Sequence, residues 1–308
     1  MSNTTAIQWT EATWNPWHGC LKVSTGCKNC YMYSEKKRYG QDPSKVVRSK
    51  STFNDPLKWV RAAERKGFKL PRFVFTCSWS DFFISEADAW RAEAWEIIRQ
   101  TPQIVYQILT KRPERIRQCL PPDWGDGYPN VWLGVSVENQ QYANERIPLL
   151  LQTPAAVRWI SAEPLLGPIE VQAFMQPSFT VCGVTDDARL ATLSSLARAA
   201  YKQQGGSLLD WVVCGGESGP GARPMEAEWA RSLRDQCHRA GVPFFFKQWG
   251  EWLPSCQDGD PQGRGDQILN ASNDAIRVGK KAAGRLLDGR EWNEYPAAIN
   301  SKSCEVSA

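Results

Sequence analysis

The chain has 308 residues, 42% of them hydrophobic, which is enough to bury a sizeable core in one large α/β domain or two smaller ones, and one domain is the expectation. No apolar run reaches the length that spans a bilayer, and Met1-Ser2-Asn3-Thr4-Thr5 lacks the basic start and apolar stretch of a secretory signal, so the expectation is a cytoplasmic protein without a membrane partner. The net charge of +4 conceals an asymmetry: residues 36–72 hold twelve Lys or Arg against Asp42, Asp55 and Glu64, a local +9 that leaves −5 for the remainder.

In chain order, Ile7-Gln8-Trp9 reads as a first short strand. The stretch from Trp14 to Tyr31 follows, a loop punctuated by Pro16, Gly19 and Gly26 that carries Cys20, Cys27 and Cys30. Tyr31–Arg38 begins a helix, and Pro56–Lys66 is a second, with Leu57, Val60 and Ala63 on one face. Arg72–Cys77 has the aromatic and β-branched content of a buried strand. Ser85–Gln100 reads as a helix capped by Ser85, with Trp90, Ala94, Ile97 and Ile98 forming its apolar face.

The alternation then repeats. Strands are expected at Ile104–Leu109, Val131–Val137, Val157–Ser161, Trp211–Cys214 and Val242–Phe246. Helices are expected from Pro113, from Asn139 to Leu151 and from Glu226 to Ala240. Residues 170–209 interrupt the rhythm with an apolar piece at Phe179–Cys182 and a helix from Asp186 to Gln203, and read as an insertion. Strands alternating with helices imply βαβ units and a parallel sheet. The expected fold is therefore α/β, a full or partial (βα) barrel of the TIM-barrel kind over residues 1–250. Residues 251–308 form a C-terminal extension packing on it, flexible between Pro254 and Asp274 and frayed from Ser301. An open doubly wound sheet is the competing architecture, but no G-x-G-x-x-G follows the first strand and no G-x4-G-K-[ST] occurs.

Each expected strand ends in polar residues: Ser80 and Asp81, Lys111, Ser136 and Glu138, Glu163, Glu217, Lys247. In a parallel barrel these ends converge on the catalytic face, and the cysteine loop would open onto it. Glu138, Glu163, Glu217 and Lys247 are the candidate catalytic groups. A carboxylate there also serves as an acid-base group, a helix cap or an ion-pair partner. Gly215-Gly216 permits a close backbone approach to a ligand, or is a tight strand-to-helix turn.

Cys20, Cys27 and Cys30 are spaced C-x6-C-x2-C. Clustered thiols in a reducing compartment more often bind metal or do redox chemistry than form disulfides. Three thiolates suit an iron-sulfur cluster, whose fourth position then stays open to a ligand, or zinc with His18 completing a closed Cys3His site. The basic segment 36–72 would attract an anionic substrate, nucleic acid included, or is a solvated helical surface.

The motifs Thr13-Trp14-Asn15-Pro16, Gly19-Cys20, Gly26-Cys27, Cys30-Tyr31, Leu109-Thr110-Lys111-Arg112-Pro113, Gly134–Glu138, Ser161–Leu165, Gly215–Gly219 and Phe246–Gly250 resemble those of the phage-associated three-cysteine-motif family. The resemblance runs from Trp9 to about Gly250 and reappears in Gly279-Lys280-Lys281 and Gly284–Gly289. That family is treated as related to radical S-adenosylmethionine proteins and largely lacks an assigned reaction. The resemblance implies a [4Fe-4S] cluster on the three cysteines, S-adenosylmethionine as second cofactor and an electron donor as partner. Ser136, Glu138, Glu163, Gly215, Gly216 and Glu217 are then its cofactor-binding candidates. The chain departs from the usual radical pattern by its six-residue first gap and by Asn29 before the last cysteine. A loop tolerates such an insertion at small entropic cost. An iron-sulfur enzyme acting on nucleic acid or a nucleotide is thus expected, and the reading from a different class is a non-catalytic, zinc-stapled nucleic-acid-binding module.

Overall fold

The computed structural model describes residues 5–66, 68–177, 187–257 and 275–297. The chain divides into two compact units, the first comprising Met1–Ser161 with Ser218–Gly221 and the second Ala162–Glu217 with Ala222–Ala308. Together they carry seven strands of parallel sheet, five in the first unit and two in the second, alternating with helices. The α/β class and parallel strands expected from the alternation are both present. No helix among the described residues is long and apolar enough to cross a membrane.

In the first unit the order of strands is that of the sequence: β1 (Ala12–Trp14), β4 (Phe73–Thr76), β5 (Val105–Thr110), β6 (Val131–Ser136) and β7 (Val157–Ala162). All pair in parallel, with Trp14 opposite Thr76 and Ser136 opposite Ser161. Between β1 and β4 lie two short strands, β2 (Trp17–His18) and β3 (Val47–Arg48), paired antiparallel, and the helices α1 (Tyr31–Arg38) and α2 (Asp55–Lys66). The first strand is therefore five residues later than Ile7-Gln8-Trp9 suggests. A turn closes there instead, with Thr10 N donating to Ile7 O and the Thr10 hydroxyl to Ala12 O. Trp9 is buried through its ring, which lies 4.7 Å from Phe75 and 5.2 Å from Trp159.

After β4, a 3-10 turn at Ser85–Ala87 leads into α3 (Asp88–Gln100). Ser85 does not cap it, because its hydroxyl donates to Glu86. The buried face is also rotated from the expected one: Arg91, Ala94, Trp95, Ile97 and Ile98 point inward, while Trp90 is half-buried. Arg91 is tolerated inside because its guanidinium donates to the carbonyls of Phe82 and Ile84 and to Asp88. A second 3-10 turn, Pro113–Arg115, precedes α4 (Ile116–Cys119), and α5 (Gln140–Leu151) is capped by Asn139, whose side chain accepts from Tyr142 N.

In the second unit, α6 (Asp187–Gln203) matches the helix expected inside the insertion. Phe179–Cys182 lies outside the described residues. The strands β8 (Trp211–Gly215) and β9 (Phe244–Gln248) pair in parallel, joined through α7 (Ala227–Ala240). That helix stops at Gly241, where φ of +64° places the chain in the left-handed region and lets Val242 N reach Cys237 O. Of the expected extension, β10 (Trp252–Pro254), β11 (Ala275–Arg277) and the short α8 (Lys280–Ala283) belong to this unit, the two strands paired antiparallel. Residues 258–274 and 298–308 lie outside the described residues.

Candidate functional site

The cysteine loop is fixed at both ends by the residues around it. Asn15 accepts from Trp79 N at 2.8 Å and donates to the Ser78 hydroxyl at 3.0 Å, while its carbonyl accepts from Ser49. Gly19 has φ of +97°, and a Cβ there would collide with the Lys45 carbonyl, so only glycine fits where the loop passes under residues 43–45. Cys20 N donates to Pro43 O at 3.0 Å, the Ser80 hydroxyl to Gly19 O at 2.6 Å and the Tyr33 hydroxyl to Cys20 O.

A 3-10 turn at Thr25–Cys27 then presents Cys27, and Cys30 occupies the N-terminal cap position of α1. Among the described residues no group of three or more His, Cys, Asp or Glu side chains is arranged around a common metal position. The three thiols nevertheless share one electrostatic neighbourhood: Cys27 acts on both Cys20 and Cys30, and all three act on the Tyr33 phenol. Burial pushes the Cys20 thiol up to about 12, and Asp81 adds to this while Arg112 opposes it. Burial also raises Cys30, against which the amides of Met32 and Tyr33 at the start of α1 favour its thiolate.

Two ion-pair systems stand behind the thiols, and each begins at a strand end. After β4, Asp81 is buried and accepts from Phe83 N at 2.9 Å, Thr110 Oγ1 at 2.7 Å, Lys111 N at 2.9 Å and Arg112 Nη1 at 3.1 Å. This fixes the Arg112 guanidinium, which also reaches Leu21 O at 2.8 Å and lies 3.8 Å from Cys20 Sγ. After β6, Glu138 is wholly buried between Lys111 and Arg146, the latter at 2.8 Å, and accepts from the Ser24 hydroxyl at 2.7 Å. Ser24 in turn lies 3.5 Å from Cys27 Sγ. A Cβ on Gly26 would run into the Glu138 side chain, so this glycine lets the loop press against the carboxylate.

The site residues read from the sequence fall into two groups. Cys20, Cys27, Cys30 and Glu138 come together in the first unit. Ser136 is buried beside them, and its carbonyl accepts from Arg146 at 2.8 Å. Both oxygens of Glu138 are committed to this clamp. Burial pushes its carboxyl up, but Lys111 and Arg146 outweigh this and hold it below the ordinary range. Sequence reading placed Asp81 and Lys111 at strand ends but missed Ser24 and Arg146. The only signal for Arg146 is a lone cation within the apolar pattern of α5.

The second unit holds the others. Glu163, one residue past β7, accepts from Lys247 at 2.6 Å and Gln248 at 3.4 Å, both on β9. Glu217 takes Arg223 through two nitrogens at 2.8 and 2.5 Å and through its amide at 2.9 Å. Gly216 is required by its own backbone packing, because a Cβ there would overlap the Trp249 carbonyl. Gly215 has only ordinary contacts at 3.4 Å to Glu163 and Lys247. His18, the alternative zinc ligand, is shifted down by burial first and then by Lys36, and its Nδ1 is buried without a hydrogen-bond partner.

Fold and site together define a parallel α/β protein that carries a clamped three-cysteine loop. The chain belongs to the family described as protein of unknown function (DUF5131), whose model matches residues 4–296. Comparison with curated proteins and with solved structures returned no match.

Proposed function

We propose that this protein is an iron-sulfur protein in which Cys20, Cys27 and Cys30 ligate a [4Fe-4S] cluster, and that it is an enzyme of the radical S-adenosylmethionine type. The carrying observation is that three thiols lie in one short loop with donors beside them, Arg112 next to Cys20, the α1 amides facing Cys30 and the Ser24 hydroxyl on Cys27, while burial still holds Cys20 and Cys30 above the ordinary thiol range. Such a donor set fits a soft metal centre with three protein ligands. When bound, the cluster supplies one-electron chemistry to a ligand held at its open iron.

The chain's own residues do the rest. Asp81 orients Arg112, and Glu138 holds Ser24 and Lys111, so the loop is fixed before any metal arrives. Glu163 and Lys247, in the second unit, pair with each other at 2.6 Å. The reading takes the seven parallel strands as a partial barrel of the radical S-adenosylmethionine kind and the sequence likeness to the phage-associated family as real kinship.

The test is anaerobic reconstitution with iron and sulfide followed by incubation with S-adenosylmethionine and a strong reductant. Release of 5′-deoxyadenosine by the wild type, lost in Cys27→Ser, supports the reading. A reconstituted protein that leaves S-adenosylmethionine intact removes the radical step.

A further inference from the structure

We infer that the outward face of α1, together with the cysteine loop it follows, is a binding surface for single-stranded nucleic acid. Met32 and Lys36, one helical turn apart, are each 2% exposed and seat the helix against the first unit. The opposite side then faces solvent: Tyr31, Ser34, Lys37 and Arg38 are all exposed at helical spacing, followed by Tyr39 at the C-terminal cap. Tyr31 is 51% exposed and Tyr39 66%, among the largest apolar exposures in the protein. The Tyr31 ring is held in place by its hydroxyl, which donates to Ser78 O. A fixed, half-exposed ring can stack on a base, and cations near it can track a phosphate backbone.

The cations here are uncompensated. Lys37, Arg38 and Lys45 are exposed and enter no ion pair among the described residues. Lys45 lies beside the cysteine loop, where its carbonyl packs on Gly19, next to Cys20. Lys37 and Arg38 lie near the start of the basic segment 36–72, which begins six residues after the last cysteine of the loop and between the two exposed tyrosines. Charge complementarity selects a polyanion, and the aromatic faces select one with unstacked bases, a single strand over a duplex.

As a statement of the substrate class of the cysteine site this rests on the cluster reading above, but binding itself does not, so it is measured on metal-free and reconstituted full-length protein alike. The probe is a fluorescein-labelled single strand of roughly 20 nucleotides, deoxythymidylate or uridylate, read by anisotropy against a duplex of the same length. Single strands are expected to bind more tightly than duplex, with affinity falling at least tenfold between about 50 and 200 mM salt. The exposed double variant Lys37→Glu, Arg38→Glu is expected to lose about tenfold or more and to flatten the salt dependence. Tyr39→Ala is expected to lose about fivefold or more with an unchanged salt slope. The DNA and RNA arms identify which strand is preferred. Binding that the variants leave intact, duplex bound as tightly as single strand, attachment to anionic vesicles in place of oligonucleotides, or variants that change only the oligomeric state would each overturn the inference. Loss of cluster assembly with strand binding intact would overturn the proposed function and leave this surface standing.

Discussion

Glu138 is where sequence, packing and chemistry meet at the scale of one residue. Its buried carboxylate pairs with both Lys111 and Arg146 and accepts from Ser24. Removing one partner from a buried charge system leaves the others uncompensated. Glu138→Gln is therefore expected to cost about 3 kcal/mol in denaturant unfolding at neutral pH. Because the folded carboxyl is held below its ordinary value, its contribution is complete above the unfolded pKa of about 4.3 and disappears as pH falls through the lower folded value. Wild type should lose stability across that acid range, and Glu138→Gln should show a shallower loss. A second contrast separates the neighbouring glycines. Gly216→Ala forces a Cβ into the Trp249 carbonyl and is expected to lower Tm strongly, whereas Gly215→Ala has space and should shift Tm little. The sequence marked Gly215-Gly216 as a tight turn or a ligand approach, and backbone packing against Trp249 accounts for Gly216. That distinction was illegible in the chain because the partner carbonyl lies more than thirty residues away.

At the scale of the element, most helices and strands were legible because their apolar periods are strong. Val131–Ser136 is buried at every position, and α7 ends at the glycine expected to end it. Two features escaped because each depends on backbone partners outside its own element. Arg91 is buried in α3 because carbonyls of the preceding loop accept from it, which rotates the helix away from the face predicted through Trp90. β2 was hidden inside a loop because its partner β3 is thirty residues on and only two residues long. In α1 the inward Lys36 has its ammonium shifted down by burial, with Asp42 opposing weakly. Charging it therefore opposes folding at all pH values below its lowered folded pKa, a penalty relieved as pH rises towards the unfolded value. Lys36→Met keeps the length of the side chain and is expected to be neutral or to stabilise by about 1 kcal/mol, read as the midpoint of denaturant unfolding at neutral pH.

At the scale of the molecule, parallel strands with polar ends were readable from alternation alone, and so was the gathering of three cysteines in one loop. The division at Ser161 was not, since it falls at the end of a strand with no change in composition. Nor was the clamp that fixes the loop, because Asp81, Arg112, Glu138 and Arg146 are brought together by topology across three strand ends. What the whole arrangement achieves is a three-cysteine loop held by strand-end charges, and the proposed function gives its thiols to a metal. The most direct measurement is therefore metal content and the anaerobic absorption spectrum of the wild type beside Cys20→Ser, Cys27→Ser and Cys30→Ser. The account predicts about four irons with matching sulfide per chain and a brown protein whose visible absorbance collapses in each single variant. A colourless protein that carries zinc, or one whose iron is retained when all three cysteines are replaced, would contradict it.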